Sequence, residues 1–330
     1  MKRYRPRVRG ITFGAEVIMK TRKRHIPIFT SVTNGTLEYL AVTVKSISDH
    51  IAEDCIVDLR VLTCDLAFYN QRKLRHMKHS NVEISIVDVN SNVEDYRADL
   101  EERLGYFYGE DVFYPFFIAD MYPRLARAMY VECGTLIRGD IERIYHTELG
   151  DDVIGGLVSD DELCDKLRVY RERWVGVNHD GYVETSAMII NLSLFRKYRI
   201  GNRFARLLMG YNFDSVSAAS DYMNFLCKGR VRVLNDAWRT EQDGEDNCAV
   251  VIFSPYRRPW YHVGVRHADE FWDVARKTPF YDDVRDAYLS FTDDKKEEER
   301  VNIDKVLAHA ERLLESQGGF YNVLGDNYLL

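Results

Sequence analysis

Between residues 26 and 89 two hydrophobic periods alternate along the chain, and this alternation restricts the fold more than any other feature. Residues 26–31 form a short apolar run of strand length. The polar turn Thr33-Asn34-Gly35-Thr36 then leads into Leu37, Leu40, Ala41, Val44 and Ile47. Steps of three and four residues place those five on one face of a helix. Residues 56–62 again suit a strand, residues 67–77 a helix, and residues 82–89 alternate apolar with polar as a half-buried strand does. Strand and helix in succession predict a mostly parallel, Rossmann-like sheet flanked by helices, an α/β fold. Such sheets bind ligands at the carboxyl ends of their strands.

The scheme continues downstream. Residues 113–127 suit a helix, residues 128–131 a strand, and Asp140 is placed to cap a short helix over 141–145. Residues 153–158, 186–191, 231–234 and 249–253 have strand character, with helical stretches at 203–211 and 221–228. Three segments follow: a basic arm over 1–25, an α/β body over 26–290, and a charged helical tail over 291–330. The arm, with Lys2, Arg3, Arg5, Arg7, Arg9, Lys20, Arg22, Lys23 and Arg24, reads as a solvated tail or as a contact for anionic lipid or polyanion. In the tail, the run from Asp293 to Arg300 is expected on a solvated face, with Val301, Ile303, Val306, Leu307 and Leu313 opposite.

Charge and cysteine usage exclude some functions. Lys+Arg 45 against Asp+Glu 52, a formal net charge of -7, argues against a dedicated nucleic-acid binder. No apolar run approaches the ~20 residues of a membrane span, and the basic N-terminus lacks the hydrophobic block of a signal peptide. Six scattered cysteines without a C-x-x-C pair suit free thiols in a reducing compartment. The expectation is a cytoplasmic protein, with peripheral contact at the inner face of the membrane open to the arm.

Several segments, in order, resemble the retaining, nucleotide-sugar-dependent glycosyltransferases of family 8. Ile26-Pro27-Ile28-Phe29 with the segment from Tyr39 to Ile47 is similar to that family's first strand and helix. Phe116-Phe117-Ile118-Ala119-Asp120-Met121-Tyr122-Pro123, then Ala128-Met129-Tyr130-Val131-Glu132-Cys133-Gly134 and Gly139-Asp140-Ile141, resembles the approach to and exit from its D-x-D motif. Residues 182–192 resemble its Y-F-N-S-G segment, Asp221-Tyr222-Met223-Asn224 its D-Q-D-x-x-N motif, and Arg258-Pro259-Trp260 its K-P-W. The resemblance covers roughly residues 26–290 and implies a GT-A fold that moves a hexose from a nucleotide sugar, typically a UDP-sugar, to a glycan or other acceptor.

The same resemblance implies a Mn²⁺ or Mg²⁺ ion held by the two aspartates of D-x-D and a histidine before K-P-W. Here those positions are Glu132, Gly134 and Ile252, with Cys133 between the first two. A hard cation wants about six oxygen or nitrogen ligands. One carboxylate of three ligands remains, so no metal cofactor is expected. Other matched positions have changed as well. Thr33 stands where an aspartate meets the base, Pro115 replaces an arginine, Ala219 and Ser220 replace the first two residues of D-Q-D, Glu184 replaces an asparagine, and Pro255 a glycine.

By this correspondence Thr33, Asn34, Glu132, Glu184, Ser220 and Arg258 are the expected donor contacts. Asp221 and Glu132 are the expected catalytic carboxylates, and Asp160, Asp161 and Trp260 the expected acceptor contacts. Asp221 serves equally as the start of a helix, where a carboxylate meets unpaired amides. Three functions follow. One is a sugar- or nucleotide-binding protein with impaired transfer, the non-catalytic partner of an active transferase. Another is a metal-independent transferase whose Arg257 and Arg258, with Arg138, grip the pyrophosphate. A third is a peripheral module docked through the basic arm.

Overall fold

The computed structural model describes residues 23–102, 109–158, 162–211, 213–238, 240, 247–325 and 328. Most of the basic arm, and both Asp160 and Asp161, lie outside the described residues. Seven strands form one sheet in the order β3-β2-β1-β4-β7-β6-β8. They are β1 (Arg24–Ser31), β2 (Cys55–Thr63), β3 (Val82–Asp88), β4 (Arg127–Val131), β6 (Ile154–Gly156), β7 (Ala187–Asn191) and β8 (Val231–Val233). β1 pairs in parallel with β2 and β4, β2 with β3, and β6 with β8, while β7 runs antiparallel to both of its neighbours. The two-residue strands β5 (Leu136–Ile137) and β9 (Val250–Val251) pair separately, with Leu136 opposite Val251.

The central strands β1, β4 and β7 are buried on both faces and are largely apolar, whereas the outer strands β3 and β8 are mostly exposed. Side chains alternate between two cores. Ile28, Met129 and Ile189 point into one; Phe29, Tyr130 and Ile190 point into the other. The helix Leu37–Asp49 covers the first core and buries the Leu37, Leu40, Ala41, Val44 and Ile47 stripe. Asp140 caps the helix Ile141–Tyr145 as expected, accepting from the Glu142 amide at 2.9 Å.

Two local differences from the sequence expectation matter for the site. Residues 113–127 are not one helix: a 3₁₀ run, Glu110–Phe117, passes into a single α-turn, Ile118–Met121, before the chain enters β4. Pro115 has no amide hydrogen for an α-helical ladder, and this breaks the expected element. The charged tail does not stand apart from the body. Its helix, Asp293–Leu314, exposes the charge run but buries Val306, Ala310 and Leu313 in the core that holds Tyr170 and Tyr222. Among the described residues no helix is long and apolar enough to cross a membrane.

Candidate active site

Strand order reverses between β1 and β4, because β2 and β3 lie to one side and β7, β6 and β8 to the other. A crevice opens at the carboxyl ends of strands at such a switch point. Glu132 follows β4 directly, and its amide donates to the Ser186 carbonyl at 2.7 Å. The β5–β9 pair then brings residues 249–258 alongside the turn after Glu132. The result is a cleft of about 810 Å³ whose wall includes Glu132, Glu184, Thr185, Ser220 and Ile252.

Among the described residues that line it, the charge is opposite to that of the whole chain: Lys166, Arg171, Arg257, Arg258 and Arg266 stand against two carboxylates, Glu132 and Glu184. Arg171 occupies the π-helical turn Arg171–Val175, where its guanidinium lies 4.1 Å from the Tyr182 ring centroid and donates to Glu184 at 3.3 Å. Arg257 and Arg258 differ from it. Among the described residues neither makes an ion pair or a side-chain hydrogen bond; Arg258 merely leans over the Trp260 ring at 5.7 Å. Two unpaired guanidiniums in one cleft make a favourable electrostatic setting for an anion. Arg138 does not join them, because Glu270 and the Cys248 carbonyl hold it, each at 2.8 Å.

The expected catalytic carboxylate Asp221 is sealed away from this cleft. It sits in the first turn of the helix Ala218–Leu226, fully buried, and accepts from the Tyr170 and Tyr182 hydroxyls at 2.7 Å each. The Ser215 hydroxyl and the Ser217 amide complete its shell. Burial, and then the Asp221 charge, hold both phenols well above their ordinary range. Asn224, also buried, accepts from the Val183 amide and donates to the Val183 and Ser220 carbonyls. Together Asp221 and Asn224 fix the wall that presents Glu184, Thr185 and Ser220, whose hydroxyl meets Thr185 at 2.8 Å.

Other expected contacts are engaged elsewhere. Asn34 clamps the next loop, bonding the Asp65 carbonyl, the Ala67 amide and Asn70, and Thr33 turns back on Thr36. Trp260 is only 3% exposed, stacked on Tyr39 at 4.3 Å and packed on Phe271, so its ring has no open face for a sugar. Gly134 explains part of this arrangement. Its φ of 88° lies in the left-handed region, its amide donates to Thr43, and a β-carbon there would come within 2.7 Å of Trp260 Cζ3. The third D-x-D position is thus filled by an indole.

These residues do not fit the family's divalent cation, since Gly134 has no side-chain ligand atom and the Ile252 side chain is an alkane. Among the described residues, the one trio of metal-ligating side chains within 4.8 Å of each other is His25, Asp58 and Glu83. His25 is the second residue of β1, near the amino end of the parallel strands and so at the opposite end of the sheet from Glu132.

Sequence reasoning missed Asp111, a carboxylate on the 3₁₀ run. Burial pushes it up to about 6, assisted by the charge of Glu132 and opposed by Arg258. A carboxyl whose folded value exceeds its unfolded value near 3.9 holds its proton more tightly when folded. It therefore stabilises the fold below about pH 4, and that contribution is lost as pH rises through about 6. Asp111→Asn is expected to gain stability over the parent by up to about 3 kcal/mol at pH 8 relative to pH 4. Urea midpoints at the two pH values measure this, and a pH-independent difference would refute the assignment.

The fold and cleft define a GT-A-like glycosyltransferase architecture. The sequence profile of glycosyl transferase family 8 matches residues 17–251, and the chain belongs to that family. Solved structures agree on the fold. The bifunctional glycosyltransferase WbbM superposes with a TM-score of 0.67 at 15% identity, over 81% of this chain and 52% of its own. This chain therefore spans about half of that enzyme. The galactosyltransferase LgtC, solved with donor and acceptor sugar analogues, gives 0.60 at 17% identity, over 77% of this chain and 96% of its own. GlyE of Streptococcus pneumoniae gives 0.56 at 12% identity, over 81% and 64%. No curated protein matches in sequence.

Proposed function

We propose that this family-8 chain binds a nucleotide diphosphate sugar, typified by a UDP-sugar, with arginines in place of a metal ion and with impaired transfer to a glycan acceptor. The observation that carries this is the pair Arg257 and Arg258, which line the cleft without an ion pair or side-chain hydrogen bond among the described residues. A guanidinium grips phosphate oxygens through two parallel hydrogen bonds, each charge-assisted. Glu132 is left to meet sugar hydroxyls across the cleft. The burial of Asp221 supports the reading of impaired transfer, with Glu132 as the carboxylate that remains on the cleft. Binding without turnover suits a non-catalytic partner of an active transferase.

Calorimetric titration with UDP and UDP-glucose, in Mn²⁺ and again in EDTA, tests the binding. Equal affinity in both buffers is expected, with Arg258→Ala or Arg257→Ala weakening it about ten- to a hundredfold, the usual loss for a charged hydrogen bond. Affinity that needs Mn²⁺, or no binding in either buffer, overturns the proposal. UDP-glucose hydrolysis in EDTA then separates the two functions: turnover makes the chain a metal-independent transferase, its absence a binding partner.

A further inference from the structure

One wall of the cleft carries a constellation that nucleotide-sugar binding does not use. Cys248 Sγ lies 3.6 Å from His267 Nε2, and both residues line the cleft. His267 Nδ1 meets Glu270 Oε1 at 2.9 Å; a proton held on Nδ1 by this carboxylate would turn Nε2 to the thiol as an acceptor. Arg138 closes the group, donating to Glu270 at 2.8 Å and reaching Cys248 Sγ at 3.6 Å. Nucleophile, base and orienting carboxylate in series are what an activated thiol requires. The backbone supplies a second sign. His267 adopts a φ of 62°, a left-handed conformation rare for side-chain-bearing residues, immediately before the helix Ala268–Ala275. Strain of this kind at a chemically armed residue points to a role beyond packing.

We infer that Cys248 is a nucleophilic thiol that exchanges with small anionic disulfides of the glutathione class, placing a reversible adduct on the cleft wall. The thiol proton passes to His267 Nε2. The thiolate then attacks one sulfur of the disulfide; the new S–S bond forms as the old one breaks, and the departing thiolate takes up a proton. Excess thiol runs the exchange backwards. The arginines of the cleft favour an anionic disulfide over a neutral one. The inference stands on the side chains of the wall and not on the identity of the donor.

The remaining described thiols set the contrast. Burial raises Cys55 to about 11 and also raises Cys64, Cys133 and Cys227. Burial opposes ionisation at Cys248 too, but the His267 hydrogen bond, with the His267 and Arg138 charges, leaves this thiol below its ordinary value.

The test uses the full chain, with iodoacetamide and glutathione disulfide as separate probes and peptide mass mapping as readout. Cys248 should be labelled by both, ahead of Cys55, Cys64, Cys133 and Cys227. Its alkylation midpoint should fall below the ~8.5 of a free cysteine. His267→Asn should slow alkylation at neutral pH about tenfold or more and return the midpoint to the ordinary range. Glu270→Gln, at a half-exposed carboxylate, should shift it in the same direction with the fold intact. A midpoint at the free-cysteine value, indifference to Glu270→Gln, or failure of glutathione disulfide to add at Cys248 overturns the inference.

Discussion

Replacing Gly134 with aspartate, which restores the family residue at the third D-x-D position, is expected to destabilise the protein and not to create a metal site. Two independent costs meet at this residue. A side chain at a φ of 88° costs roughly 1–3 kcal/mol. Its β-carbon must also displace the Trp260 ring, which is confined by Tyr39 and Phe271. Overpacking of that kind costs roughly 1–3 kcal/mol more. Thermal unfolding should therefore shift down by several degrees, at roughly 1.5 °C per kcal/mol for a chain of 330 residues. Gly134→Ala should lose most of the same stability without adding a carboxylate, which separates steric strain from charge. An aspartate variant that melts with the parent and binds Mn²⁺ would show that the indole can move aside and that the metal site is recoverable.

Asp221→Asn carries the second large effect. The carboxylate accepts from Tyr170, Tyr182, Ser215 and the Ser217 amide in a fully buried setting. An amide offers one acceptor oxygen and turns an NH₂ donor toward groups that are themselves donors. Leaving buried donors unmatched costs roughly 1–3 kcal/mol each, so a total of about 3–5 kcal/mol is expected. Guanidinium unfolding would register it as a lower midpoint at unchanged slope. The opposite pattern, parent stability with loss of donor turnover, would return Asp221 to the reaction centre and defeat its assignment as a buried structural anchor.

The framework of this chain was legible in the linear order of residues. The Leu37 to Ile47 stripe, the apolar runs of β1 and β2 and the cap at Asp140 all depend on contacts within a few residues, and each forms where its period places it. The stretch over 113–127 was not, because an apolar period cannot separate a 3₁₀ run from an α-helix when a proline interrupts it. The candidate site was less legible still. Position matching gave Asp221 and Trp260 roles at the surface of a cleft. Whether a side chain faces a cleft or a core depends on its neighbours across the fold, and for these two they are Tyr170 and Tyr182 in one case, Tyr39 and Phe271 in the other. Asp111 went unnoticed because no motif contains it. The nine histidines show no ligand spacing, yet His267 meets Cys248, nineteen positions away, and Glu270, three positions away, through the turn before Ala268–Ala275.

What the sequence by itself determined is the family, the α/β order of elements and the loss of ligand atoms at Gly134 and Ile252, since a missing functional group is a covalent fact. The tertiary structure alone decided what replaced them. It placed an indole against Gly134, sealed Asp221 beneath two phenols, and gathered Arg257 and Arg258 on the cleft without an ion pair to either. Such outcomes depend on which distant surfaces come into contact, and burial, charge pairing and free space are properties of those contacts and not of any residue alone.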